Sequence, residues 1–198
     1  MNTVAIIILA AGNSSRMGKP KQFLEIGGKS LLQHAVEAAL DAALGPVLVV
    51  TGAADEQVRT HLATTPVSII RNRDWEEGMA SSIRIGVKAA IDAASTINGV
   101  LLMVADQPSA DAGVLKKLWL TWVASGQPVA AAVYEGEAGT PAIFDASMFP
   151  ELLQLKGETG AKKLIRSIPG QFAKLEFPEG IRDIDTPEDY ERFLEEMK

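Results

Sequence analysis

Val4-Ala5-Ile6-Ile7-Ile8-Leu9-Ala10-Ala11-Gly12-Asn13-Ser14-Ser15-Arg16-Met17-Gly18-Lys19-Pro20-Lys21 runs from an apolar, β-branched stretch straight into a loop of small and basic residues. The run Val4 to Leu9 is too short for a buried helix and reads as a central strand of a parallel sheet, buried on both faces. Ala10, Ala11 and Gly12 follow at its carboxyl end, where ligands bind in open α/β sheets and where small residues let backbone N–H groups approach a base or phosphate. Arg16, Lys19 and Lys21 supply fixed positive charge for a polyanion.

Outward from this stretch, short apolar runs alternate with helical patterns, the signature of βαβ units and a largely parallel sheet covered on both faces. Leu31, Leu32, Ala35, Val36, Ala39 and Leu40 mark one face of a helix with Ser30 as its N-cap. Pro46 to Thr51 reads as a strand, Ala54 to Ala63 as a helix, Val67 to Arg71 as a strand, Met79 to Ala94 as a helix and Val100 to Val104 as a strand. Val114 to Ala124 reads as helical. From residue 126 the rhythm changes: Pro128 to Tyr134 and Pro141 to Phe144 are β-type runs separated by the polar segment 135–140, which predicts an antiparallel addition. Short helices are expected around Met148 to Leu155 and Thr159 to Ser167. Thr186-Pro187-Glu188 opens a final helix as N-cap, N1 proline and acidic first turn. With no repeat or linker, residues 1–198 read as one domain.

Composition narrows the function. A hydrophobic content of 47% and a charged content of 22% are those of an ordinary globular protein. The net charge of −6 argues against general binding to nucleic acid or an anionic membrane, so an anionic ligand must be held by a local basic cluster. The absence of cysteine excludes disulfides, a thiol nucleophile and a thiolate metal site. His34 and His61 sit inside helical patterns and read as structural; Trp119 and Trp122, at helical spacing, read as core or subunit contacts. The apolar amino terminus lacks a basic n-region and no run approaches a membrane span, so a cytoplasmic protein is expected.

The glycine spacings fit neither common phosphate motif. A P-loop would need glycine at position 23, where Phe23 precedes Gly28-Lys29-Ser30, and a dinucleotide fingerprint would need glycine at Ser14. Asp106, in Val104-Ala105-Asp106-Gln107-Pro108, follows a buried strand directly. There a carboxylate is costly unless paired, hydrogen-bonded or metal-bound. Its alternatives are an Mg²⁺ ligand acting with phosphate oxygens and an N-cap for a helix beginning near Ser109. In 72–82, Gly78 permits a sharp turn, and Ser81 and Ser82 stand at the start of a helix whose free N–H groups favour an anion. Arg71, Arg73 and Arg84 serve either a substrate phosphate or the surface.

Leu9-Ala10-Ala11-Gly12-Asn13-Ser14-Ser15-Arg16-Met17-Gly18 with Lys21 resembles the signature of nucleotidyltransferases that activate phosphorylated small molecules, most closely the molybdopterin cytidylyl- and guanylyltransferase branch. The resemblance spans essentially the whole chain. It implies a three-layer α/β/α Rossmann-like, glycosyltransferase-A-like nucleotidyltransferase fold with a mostly parallel sheet and a small antiparallel addition. It also implies that Leu9, Ala10, Ala11, Gly12, Ser14, Asn72, Gly78 and Ser82 contact the nucleotide, and that Arg16 and Lys21 neutralise the triphosphate. Asp106, with Asp185 from the closing Asp183-Ile184-Asp185-Thr186-Pro187 motif, would bind Mg²⁺; the acidic cap of the last helix is the other reading of Asp185. Gly139-Thr140-Pro141 resembles the Gly-x-Pro beside the second substrate, with threonine where histidine is common. Gly157-Glu158-Thr159-Gly160-Ala161-Lys162 is similar to the family's Gly-Asp-x-Gly-Ala-Arg, and lysine for arginine loses bidentate phosphate geometry.

The implied reaction carries CMP from CTP to molybdopterin with release of pyrophosphate, catalysed by Arg16, Lys21 and Asp106 with Mg²⁺. Ala11 favours CTP, because the guanylyl enzymes carry Leu-Ala-Gly-Gly. Guanylyl transfer to molybdopterin, nucleotidyl transfer to a sugar or polyol phosphate, and a non-catalytic cofactor chaperone remain the alternatives. A molybdoenzyme or chaperone would receive the product.

Overall fold

The computed structural model describes the chain apart from residues 1, 14–19, 94–95, 169, 171, 182–183, 185 and 197–198. Seven strands form one mixed sheet in the order β5-β4-β1-β6-β8-β7-β9: β1 Val4–Ala10, β4 Val47–Thr51, β5 Ser68–Arg71, β6 Gly99–Val104, β7 Val129–Tyr134, β8 Glu137–Asp145 and β9 Phe172–Glu176. Only β8 runs against the rest, pairing antiparallel with both β6 and β7. A two-residue ladder, β2 Glu25–Ile26 with β3 Lys29–Ser30, stands apart. This is the α/β nucleotidyltransferase fold, mostly parallel and flanked by helices on both faces.

Alternation along the strands makes two cores. Ile6 and Ile8 of β1 and Leu101 and Met103 of β6 face Leu32, Ala35, Leu115, Leu118 and Trp122, contributed by α1 (Leu31–Ala42) and α4 (Ala112–Ser125). Ala5, Ile7, Val100 and Leu102 face the opposite way, onto Ile83, Val87 and Ala90 of α3 (Met79–Ala93), with α5 (Phe149–Leu153) and α6 (Ala161–Arg166) completing that layer. Gly86 lets α3 approach closely: a Cβ there would lie 2.7 Å from Ile7 Cγ2. A third cluster joins Leu24, Ile26, Leu31 and Ile184 to Tyr190, Phe193 and Leu194 of α7 (Pro187–Glu196), and Tyr190 Oη donates to Glu25 O at 2.6 Å.

Local chemistry sets the ends of the elements. Ser30 caps α1 in a reciprocal box with Gln33. Thr186 Oγ1 accepts from Asp189 N while the Asp189 carboxylate accepts from Thr186 N at 3.0 Å. Asp55 opens α2 (Asp55–His61), where its buried carboxylate accepts from the Thr51 hydroxyl and from Arg59 Nε at 3.1 Å, with Arg71 Nε 3.8 Å away. Burial pushes this carboxyl up, but the Thr51 and Arg59 hydrogen bonds and the two guanidinium charges outweigh burial and hold it below its ordinary value. His34 Nε2 meets Ile26 O at 2.8 Å and His61 Nε2 meets Ser30 Oγ at 2.8 Å, so both imidazoles serve the packing around α1.

Two expectations change. The segment 135–140 is not all connection: β8 begins at Glu137, and the ladder with β7 slips at Ala131/Ala132 in a bulge that absorbs Thr140-Pro141. β9 was not expected between Ser167 and Thr186; it is a short edge strand whose side chains are all partly or fully exposed, so it carries no buried apolar run. Among the described residues no helix is long and apolar enough to cross a membrane.

Candidate active site

The chain leaves β1 for β4 and β5 on one side and returns to β6 on the other, so a crevice opens beyond the carboxyl ends of β1 and β6. Leu9 is in register with Val104, which sets Ala10 to Gly12 beside Ala105 and Asp106. These two strand ends, with Lys21, the turn at Trp75–Glu77, Met79 and Ser82 of α3, and Glu158, enclose a cavity of about 540 Å³. The Ala11 backbone is fixed from behind, its carbonyl accepting from Ala53 N at 3.3 Å, and any side chain at Gly52 would collide with that carbonyl and with Trp75. Gly12 differs: its backbone is not left-handed, and a Cβ built on it meets no atom of the described residues within 4 Å. Among the described residues, neither packing nor strain calls for the glycine.

Asp106 stands at the floor. Its Oδ2 forms an ion pair with Lys21 Nζ, the two side chains keeping 16% and 24% exposure, and its Oδ1 is buried with no hydrogen-bond partner among the described residues. The helix after it is capped by Asp111, which accepts from Val114 N at 2.8 Å, so capping does not account for Asp106. The backbone around Asp106 is clamped from a distance. Ile184 N donates to Asp106 O at 3.1 Å; buried Gln107 donates from Nε2 to Gly180 O at 3.1 Å and accepts at Oε1 from Thr140 Oγ1 at 3.2 Å.

The α3 end is built by Asn72, which is buried. Its Nδ2 donates to Ser81 Oγ at 2.8 Å and Ser82 Oγ at 3.0 Å, and its Oδ1 accepts from Asp74 N at 3.0 Å. The amide therefore orients Ser82, which lines the cavity, while Asn72 itself is outside the lining. The expected anion seat on the α3 N-terminus is largely taken by the chain: Ala80 N donates to Gly157 O at 3.0 Å and Ser81 N to Gly78 O at 3.2 Å. Gly78 (φ +114°) is required, since a Cβ would fall 2.7 Å from Gly157 O. Arg84 is held by Glu77 at 2.6 and 2.9 Å and by Leu155 O at 2.7 Å. The Glu77–Arg84 hydrogen bonding holds Glu77 below and Arg84 above their ordinary values. Arg71 lies beside Asp55, and neither Arg71 nor Arg84 is among the residues that line the cavity.

Of the residues singled out in the sequence, Leu9 to Gly12, Lys21, Gly78, Ser82 and Asp106 come together on one cavity. Gly139-Thr140-Pro141 lies outside its wall, linked to it through Gln107. Lys162 faces Glu137 at 3.9 Å. Ser14, Arg16 and Asp185 lie outside the described residues. Sequence reasoning did not single out Gln22, Trp75, Glu76, Met79 and Glu158 as lining residues; the signals were adjacency, Gln22 following Lys21 and the others lying in the 72–82 and 157–162 stretches.

A family model described as the MobA-like NTP transferase domain matches residues 6–173. The chain belongs to this family. It is a nucleotidyltransferase of the MobA-like type. Its curated relatives carry divergent names: nicotine blue oxidoreductase of Paenarthrobacter nicotinovorans, 29% identical over 95% of each chain; purine catabolism protein PucB of Bacillus subtilis strain 168, 31% over 93% of each; and molybdenum cofactor cytidylyltransferase of Escherichia coli K12, 27% over 98% of this chain and 100% of the relative. The Rv0371c protein of Mycobacterium tuberculosis H37Rv superposes with a TM-score of 0.84 at 28% identity over 98% of both chains, and its manganese complex with 0.81 at 26% over 98% of both. Family membership is thus plain, while the names of relatives at similar identity point to different biology.

Proposed function

We propose that this protein transfers CMP from CTP to molybdopterin, releasing pyrophosphate, and that residues 1–198 act as one catalytic domain. The observation that carries the reading is the juxtaposition, on one cavity at a strand-end crevice, of a small-residue wall at Leu9 to Gly12 with the Lys21 and Asp106 pair. Gly12 supports it independently: neither strain nor packing by the described residues calls for a glycine there, and a ligand lying against its backbone would. The cytidylyltransferase relative and Ala11 in Leu-Ala-Ala-Gly support CTP and molybdopterin.

In this reading an oxygen of the acceptor's phosphate attacks the α-phosphorus of CTP. A P–O bond forms there, the bond from the α-phosphorus to its bridging oxygen breaks, and pyrophosphate leaves with that oxygen. The phosphate monoester is already an anionic nucleophile, so the protein's work is positioning and charge neutralisation. The Ala10 to Gly12 backbone seats the nucleotide, and Lys21, with Arg16 as the family pattern implies, takes charge on the leaving pyrophosphate. Asn72 holds Ser82 toward the nucleotide. Gln107 and Ile184 hold Asp106 in place, and Thr140, hydrogen-bonded to Gln107, ties Gly139-Thr140-Pro141, taken here as the acceptor segment, to the same clamp.

The residues fit a divalent cation. Asp106 Oδ1 is a buried oxygen with no hydrogen-bond partner among the described residues, and one or two carboxylates with phosphate oxygens and water are how Mg²⁺ is usually held. Asp106, with Asp185 by resemblance, would hold Mg²⁺, and the manganese complex of the mycobacterial structure supports a divalent ion. When bound, the ion would spread the charge developing on the reacting phosphates.

The test is pyrophosphate release by purified protein with each nucleoside triphosphate, Mg²⁺ and a panel of acceptors including molybdopterin. The proposal expects turnover with CTP and molybdopterin. Turnover with GTP, or with a sugar or polyol phosphate, in their place would reassign base or acceptor within the same chemistry.

A further inference from the structure

Among the described residues, two buried side-chain polar atoms have no hydrogen-bond partner: Asp106 Oδ1 and Gln22 Nε2. Both belong to residues that line the same cavity. The first is accounted for by the metal reading; the second is not. Gln22 is 3% exposed, in the short 3-10 turn Lys21–Phe23. That turn is closed by its own backbone, Phe23 N to Pro20 O at 3.2 Å and Leu24 N to Lys21 O at 3.0 Å, and Leu24 O accepts from Leu31 N at 2.9 Å. The amide is not needed to hold it. An apolar side chain of the same length would fill the space without leaving a desolvated donor unpaired, so the glutamine costs stability where it stands.

We propose that Gln22 is a phosphate-binding residue of the nucleotide site, its amide N–H groups donating to oxygens of the pyrophosphate portion of the triphosphate. The inference rests on reading this cavity as the nucleoside triphosphate site. The class of partner follows from the chemistry. The atom left unsatisfied is a donor, so it needs an acceptor. It neighbours in the chain the lysine assigned to the triphosphate. Phosphate oxygens are the strongest acceptors such a ligand brings, and hydrogen bonds to charged groups exceed neutral ones. Because Nε2 is occluded in the ligand-free protein, the side chain turns toward the cavity when the triphosphate enters.

The test compares wild type with Gln22→Leu and Gln22→Met in two measurements. Thermal melts without ligand are expected to show both variants at least as stable as wild type, since an unpaired buried donor has been removed. Calorimetry with Mg²⁺ is expected to show binding of CTP and of inorganic pyrophosphate weakened about ten-fold, with CMP binding unchanged. A fall in the ligand-free melting temperature of both variants would overturn the premise, because the amide would then be structural. Unchanged affinity for CTP and pyrophosphate, or an equal loss for CMP, would overturn the assignment while leaving the nucleotide site intact. A wild type that binds neither CTP nor pyrophosphate would overturn the site reading and this inference together.

Discussion

Lys21→Met probes the Lys21–Asp106 ion pair on which the proposed chemistry turns. Removing one partner of a fully dry pair costs about 3–5 kcal/mol, because the other charge stays buried and uncompensated. Here the side chains keep 24% and 16% exposure, and the solvent they retain reduces the expected loss to about 2 kcal/mol. For a chain of this size that is roughly 4–8 °C in Tm. The variant also leaves both Asp106 oxygens open to a cation. A divalent ion at 100 times its Kd would then return about 2.7 kcal/mol, which offsets the whole loss. In wild type the ion at Oδ1 meets the repulsion of the lysine held on Oδ2, so the same addition shifts Tm less. The assay is differential scanning fluorimetry in EDTA and in a Mn²⁺ series. A variant that melts with wild type in EDTA, or equal metal shifts in the two proteins, would refute the reasoning.

Gly12→Ala should leave stability within about 0.5 kcal/mol of wild type by thermal melting, because no described residue lies within 4 Å of the added methyl, yet weaken CTP binding in calorimetry. Gly86→Ala should do the opposite, since its methyl would meet Ile7 Cγ2 at 2.7 Å and Val50 Cγ2 at 3.1 Å. Overpacking of about 1–3 kcal/mol, offset by about 1 kcal/mol of helix propensity, predicts a denaturant midpoint below wild type with CTP affinity retained. Asp55→Asn should cost about 1–3 kcal/mol at neutral pH by urea unfolding. The carboxyl is lowered in the folded state, so its stabilisation is complete above the ordinary value of 3.8 and is lost as pH falls through the folded value. The variant should accordingly lose less stability than wild type on acidification below about pH 4.

The parts of this molecule legible in the sequence are those whose burial is written locally. Val4 to Ala10 and Gly99 to Val104 are apolar throughout because both faces of those strands are covered, and Ser30 with Gln33 marks the start of α1 within four residues. Asp106 stood out for the converse reason, a charge at the end of a dry strand. β9 was hidden because an edge strand with no fully buried side chain carries no hydrophobic run. The clamp at Gln107 was hidden because its partner Gly180 is 73 residues away, and nothing local to Asp-Gln-Pro signals it. Asn72 shows the limit of motif reading: the pattern marked the residue, but only the hydrogen bonds to Ser81 and Ser82 show that it acts by holding a neighbour.

The central claim is that the α-phosphorus of a nucleoside triphosphate is the atom attacked. It is tested most directly by incubating the protein with Mg²⁺, molybdopterin and CTP labelled with ³²P at either the α or the γ position. The account predicts α label in the pterin product and γ label in pyrophosphate, with both signals abolished in Asp106→Asn. Label from the γ position in the pterin product, or undiminished transfer by Asp106→Asn, would contradict it.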